Sequence, residues 1–173
     1  MSTPVLGHNG AGTGNGEPDY DALCTKIYPN ADIDNEYWSE CSAASYKCVD
    51  DDPDDAGADD DATQYQYNTN NLEMGLENLA QEDGNYRLKF RIRCKYADPP
   101  SPPTDIVVYI VKADHTELHS ETVTCTAEYA THDSEWSEPI SLTAIELDNM
   151  EIWLDPEESE YPYVSAVEVR VYP

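Results

Sequence analysis

The densest set of possible ligands in the chain is the run Asp50-Asp51-Asp52-Pro53-Asp54-Asp55-Ala56-Gly57-Ala58-Asp59-Asp60-Asp61, with eight carboxylates in twelve positions. Hard cations take oxygen donors, so Asp50, Asp52, Asp54, Asp59 and Asp61 are the candidate metal ligands. The spacing fails a helix-flanked calcium loop: counted from Asp52, the third position is Asp54, but the fifth is Ala56 and the twelfth is Thr63. The plain reading is a solvated acidic loop. Five cysteines (Cys24, Cys41, Cys48, Cys94, Cys125) contain no CxxC, and His8, His115, His119 and His132 are scattered, so no zinc site is spaced out. Cys41 and Cys48 bracket a short segment that a disulfide could close, while Cys94 and Cys125 read as small buried residues. No nucleophile–base pair stands out, and with 36 acids any carboxylate pair is expected by chance. The expectation is no catalytic residue, no cofactor and no enzyme.

The second chemical feature is a strand that alternates basic and apolar residues, Lys89-Phe90-Arg91-Ile92-Arg93-Cys94-Lys95-Tyr96. Leu88, Phe90, Ile92 and Cys94 should face inward, leaving Arg87, Lys89, Arg91 and Arg93 on the other face. That stripe gathers three of four arginines on a chain of net charge -27. Arg91 and Arg93 are therefore candidate interface residues, either docking on an acidic partner or neutralised by Glu73 and Glu77 of a neighbouring strand. A third feature is the aromatic content, 13 Tyr and 3 Trp, of which Tyr65, Tyr67, Trp136, Trp153, Tyr161 and Tyr163 could line a saccharide face or pack on a sheet.

These residues need elements to hold them. Ile106 to Val111 is β-branched, Glu121 to Thr126 continues in extended style, and Val167, Val169 and Val171 alternate with Glu168 and Arg170, which should sit in water. Turn signals separate the runs at Glu82–Asn85, Asp98–Pro103 and Asp155–Glu158, and only Leu142–Met150 has helical spacing. Short strands at regular intervals predict an all-β fold, an antiparallel jelly-roll-like β-sandwich over residues 20–173. Residues 1–19, rich in Gly, read as a flexible arm, with Val5 and Leu6 as its apolar anchor at an interface.

With 9 Lys and Arg against 36 Asp and Glu, phosphate-driven nucleic-acid binding and anionic membrane surfaces are disfavoured. No apolar run approaches the ~20 residues that span a bilayer, and no secretory signal is visible at the start. So large a charge also predicts that compactness depends on screening by salt.

The order of several motifs carries a resemblance. Ile27-Tyr28-Pro29-Asn30-Ala31-Asp32-Ile33, then Trp38, then Val49 to Asp51 and Asp59 to Tyr65, together with the strands at Tyr86–Tyr96, Ile106–Val111, Ser120–Thr126 and Val167–Val171, resemble a β-sandwich module of tailed-virus virion proteins. The resemblance implies a structural protein of a virus of a halophilic host, located in the virion and on the capsid surface rather than the tail. There it would act as a decoration, turret or cement subunit. It further implies homo-oligomers and partners among other virion proteins (major capsid protein or tail components). The alternative is a carbohydrate-binding adhesion module of a tail or fibre.

Overall fold

The computed structural model describes residues 18–34, 49, 65–66, 71–96, 104–156 and 162–173. A four-residue helix, α1 (Tyr20–Leu23), is capped by the Asp19 carboxylate, which accepts from the Ala22 N–H at 3.2 Å. Strands β1 (Thr25–Ile27), β2 (Pro29–Asp34), β3 (Tyr65–Gln66) and β4 (Leu72–Leu76) follow. Then come β5 (Gly84–Tyr96), β6 (Thr104–Lys112), β7 (Glu117–Cys125), β8 (Ala130–Asp133) and β9 (Ile140–Leu142). The helix α2 (Ala144–Asp148) and strands β10 (Met150–Pro156) and β11 (Pro162–Tyr172) complete the described chain.

The strands form two antiparallel sheets, a β-sandwich as the period-two pattern predicts. The first sheet runs β1-β11-β5-β8, with β3 on β11 and β9 on β5. The second runs β2-β4-β10-β6-β7. Leu88, Phe90, Ile92 and Cys94 of β5 are fully buried, as are Val167 and Val169 of β11. They meet Leu72 and Met74 of β4, Ile106, Val108 and Ile110 of β6, and Ile152 and Leu154 of β10. An irregularity between Val164 and Ala166 shifts the phase of β11, so Val164 also reaches the core.

The helical spacing at Leu142–Met150 yields α2, with a capping box. The Thr143 hydroxyl accepts from the Glu146 N–H at 3.2 Å and the Glu146 carboxylate accepts from the Thr143 N–H at 2.8 Å. Lys112, 2.7 Å away, and those Thr143 donors lower the Glu146 carboxyl to about 2. His115 lies in the β6–β7 turn, with a left-handed φ of 67°.

Cys94 and Cys125 are fully buried as expected, and they are also paired. Cys94 of β5 and Cys125 of β7 form a disulfide, with Cα atoms 5.7 Å apart, that ties one sheet to the other. The inward face of two strands in different sheets brought the thiols together, a proximity that sequence spacing does not reveal. Cys41 and Cys48 lie outside the described residues.

Candidate functional site

In the first sheet β5 lies between β11 and β8, so its outward side chains run down the middle of the outer face. The pleat sends Arg87, Lys89, Arg91, Arg93 and Lys95 to that face because their neighbours Leu88 to Cys94 fill the core. Arg170 of β11 stands opposite Lys89 on one side and Lys26 of β1 on the other, so Arg170 and Lys26 add two more cations to the row. Seven of the nine Lys and Arg residues in the chain therefore share one sheet face. Of the other two, Lys47 is outside the described residues and Lys112 pairs with α2.

Among the described residues, three acids interleave with these cations. Glu168, whose side chain is 0% exposed, bonds Arg170 Nε, lies 3.2 Å from Lys26 Nζ, and accepts from the Tyr28 hydroxyl at 3.2 Å. Asp21 of α1 accepts from Arg170 at 2.7 Å and from Lys89 at 3.2 Å. Asp133 of β8 sits 2.6 Å from Arg91 and 3.9 Å from Lys89. Burial alone would raise the Asp21 carboxyl, but hydrogen bonds from Arg170 and Lys89, with their charges, outweigh it and hold it below its ordinary value. Burial likewise opposes the Arg170 charge, and Glu168 and Asp21 more than offset it. The short helix α1 thus acts as a strap that carries Asp21 over the sheet.

Aromatic rings stand at both ends of the row. At one end Tyr20 of α1 meets Trp136 at 5.8 Å and Tyr172 at 4.8 Å, both edge to face. Arg87 lies 5.1 Å from the Tyr20 ring centre and Lys89 lies 5.8 Å from that of Trp136. At the other end Lys95 sits between Tyr129 (4.7 Å) and Tyr163 (5.2 Å), and Arg93 lies 5.5 Å from Tyr129. The loop after β8 that delivers Trp136 is fastened to β5: the Ser134 and Ser137 hydroxyls accept from the Phe90 and Leu88 N–H groups at 3.0 and 2.9 Å.

The outer face of the second sheet has different chemistry. Glu73, Glu151, Asp155 and Asp105 point there, and no described cation does. Trp153 stands between Glu73 and Tyr109, donates to Glu151 at 2.9 Å, and has His115 edge-on at 4.7 Å. Burial raises the Asp155 carboxyl.

Several site expectations need correction. Arg91 and Arg93 are outward as predicted, but their neighbours are not Glu73 and Glu77, which belong to the β4 region of the other sheet. Strand order cannot be read from alternation, and it sets Glu168 and Asp133 beside Arg91 instead. Glu168 and Arg170 are on the outer face yet are 0% and 6% exposed, because Lys26, Tyr28 and α1 close over them. Val5, Leu6, Asp50, Asp52, Asp54, Asp59 and Asp61 lie outside the described residues. Among the described residues no group of three His, Cys, Asp or Glu side chains is placed to hold a metal ion. Of the aromatics, Trp136 and Tyr163 fall on the cationic face and Trp153 on the acidic one, whereas Tyr67 and Tyr161 are not described. Sequence reasoning missed Tyr20, Tyr129, Asp21 and Asp133. The only available signal was Asp19, a capping residue just before Tyr20 that announces a helix start.

No known protein family matches this sequence. No curated protein matches it either. Solved structures similar to the chain include a CBM4 carbohydrate-binding module (19% identity, TM-score 0.37, 61% of this chain and 59% of that one). Another is the C-terminal CBM6 of LamC from Zobellia galactanivorans (12% identity, TM-score 0.45, 87% and 99%). A third is the arabinose-bound MgGH51 α-L-arabinofuranosidase (12% identity, TM-score 0.44, 80% and 23%). The chain thus spans 59% of the CBM4 chain and 23% of the arabinofuranosidase chain. These are carbohydrate-binding modules and a glycosidase rather than virion proteins, and the tailed-virus resemblance, with the capsid-decoration role drawn from it, is corrected. The physical reason lies in the motifs: those at Tyr86–Tyr96, Ile106–Val111 and Val167–Val171 are strands β5, β6 and β11, whose alternation any two-sheet sandwich requires.

Proposed function

We propose that this chain is a non-catalytic carbohydrate-binding module whose binding surface is the outer face of the first sheet. The observation that carries the reading is the trio Tyr20, Trp136 and Tyr172, half-buried beside Arg87 and Lys89 on an otherwise polar sheet face. A pyranose ring offers an apolar C–H face and a rim of hydroxyls. Aromatic rings cover the first, and Lys, Arg and carboxylate groups hydrogen-bond the second.

Affinity electrophoresis of the whole chain through gels holding different soluble polysaccharides tests this reading. At least one polysaccharide should retard the protein, and Trp136→Ala should weaken that retardation by about ten- to a hundredfold. Unchanged retardation of the Trp136→Ala protein would move the site elsewhere, and no retardation by any polysaccharide would contradict the reading.

A further inference from the structure

The face proposed above leaves a cleft at one end of the second sheet unexplained, and we infer that this cleft is a second binding site, one that takes a single neutral sugar ring. It lies where β4 ends, β10 begins and α2 meets the sheet, and its volume is about 200 Å³. That is below the roughly 300–1,000 Å³ of clefts that hold drug-sized molecules, so the space suits one ring rather than a chain. Its polar lining is Asn30, Asn78, Asn149, Asp148 and Glu151. Ile33, 49% exposed, and the buried Leu76 and Met150 give it an apolar side.

The glycine in its wall carries the inference. Gly75 is an outward residue of β4, between the buried Met74 and Leu76, and stands opposite Ala31 on one side and Glu151 on the other. Its φ lies outside the left-handed region, and a Cβ there would meet Ala31 and Asn30 at 3.6 Å and Ile33 at 3.8 Å, all ordinary contacts. Neither backbone conformation nor crowding therefore requires glycine, although glycine weakens a strand interior and often marks the close approach of a ligand. What it does here is keep the cleft open. A second observation is Asp148 Oδ1, which is buried and has no hydrogen-bond partner among the described residues. A carboxylate oxygen so placed lacks a donor, and a ligand hydroxyl supplies one. The three carboxamides fix the class of ligand. Each donates and accepts, as a sugar hydroxyl does, whereas an ammonium group or a metal ion needs acceptors alone. Glu151 already accepts from Trp153 at 2.9 Å, and no described lining residue is a cation, so an anion has nothing to pair with.

The test is saturation-transfer NMR of the whole chain with the methyl pyranosides of glucose, galactose, mannose and xylose, followed by titration of whichever binds. At least one should bind. Gly75→Gln, which puts a side chain into the cleft, should weaken that binding at least about tenfold, and Asp148→Asn about fivefold. Asp105→Asn, at the far end of the same sheet, should leave it unchanged. Thermal unfolding checks the fold of each variant, and Asp148→Asn decides the matter if Gly75→Gln does not fold. Calcium chloride alone is titrated beside the sugars by calorimetry. Binding of no glycoside, or equal binding by Gly75→Gln and the unsubstituted chain, would overturn the second site without bearing on the first, whose readout is gel retardation. Calcium binding that is lost in Asp148→Asn, with no glycoside bound, would assign the cleft to a cation and likewise overturn it.

Discussion

The two outer faces of this sandwich are built by the same alternation and end with opposite chemistry. On the first sheet, outward positions hold Lys26, the β5 cations and Arg170, interleaved with Glu168, Asp21 and Asp133. On the second they hold Glu73, Glu151, Asp155 and Asp105 around Trp153 and Tyr109. Each face has aromatic rings, so rings alone do not distinguish them. The difference is that the acids of the first face are paired with cations, whereas no described cation stands among those of the second. A buried pair is costly to break, because the remaining charge has lost both partner and solvent. Cations gathered against the overall composition are what set the proposed binding face apart.

The core that both faces share sets the largest expected effect. Phe90→Ala should destabilise the fold by about 3–5 kcal/mol in denaturant unfolding, removing both faces at once, because Phe90 is fully buried between the sheets. Next is Glu168→Gln, which leaves Arg170 and Lys26 without their shared carboxylate and should cost about 3 kcal/mol. The matched change on the other face, Asp105→Asn, keeps a neutral partner for Thr124 and should cost less than about 0.5 kcal/mol. Equal costs for the two would erase the contrast between the faces.

The pH dependence sharpens the comparison because the faces carry opposite signs. Asp21 titrates below its ordinary 3.8 in the folded state, so its contribution is present above 3.8 and lost as pH falls below it. Asp155, raised by burial, favours the folded state more in acid, and that contribution is lost as pH rises through 3.8 and above. Asp21→Asn should therefore reduce the acid sensitivity of unfolding and Asp155→Asn should increase it. Between the sheets, burial lowers His119 and His132 below 6.5, so their contribution is full above pH 6.5 and declines as pH falls. His119→Gln should flatten the stability profile between pH 7 and 5, read from thermal unfolding.

Much of the sandwich was legible in the sequence. The alternation at Leu88–Cys94 and Val167–Val171, the β-branched run at Ile106–Val111 and the helical turn after Thr143 all follow from short-range periodicity and capping. What could not be read is whatever depends on which strand lies beside which. That ordering decides that Arg91 meets Asp133 and Glu168 rather than Glu73, and that Cys94 meets Cys125. It also decides that Glu168 and Arg170, polar by pattern, are roofed by Lys26 and α1 and leave the water. The candidate site was half legible: its β5 cations came from alternation, but Tyr20, Tyr129 and Tyr172 arrive from distant segments. The virion resemblance failed for a related reason, since ordered period-two strands are shared by sandwiches of many functions.

The central claim, that saccharide binds on the cationic face, is tested most directly by lysine acetylation footprinting with and without a polysaccharide that retards the protein in the gel, read by peptide mass spectrometry. Lys26 and Lys95 lie on the proposed surface, and Lys112, paired with Glu146 on the other sheet, is the internal control. The account predicts that the polysaccharide slows acetylation of Lys26 and Lys95 and leaves Lys112 unchanged. Unchanged acetylation of Lys26 and Lys95 in the presence of a polysaccharide that retards the protein would place the binding surface elsewhere and contradict it.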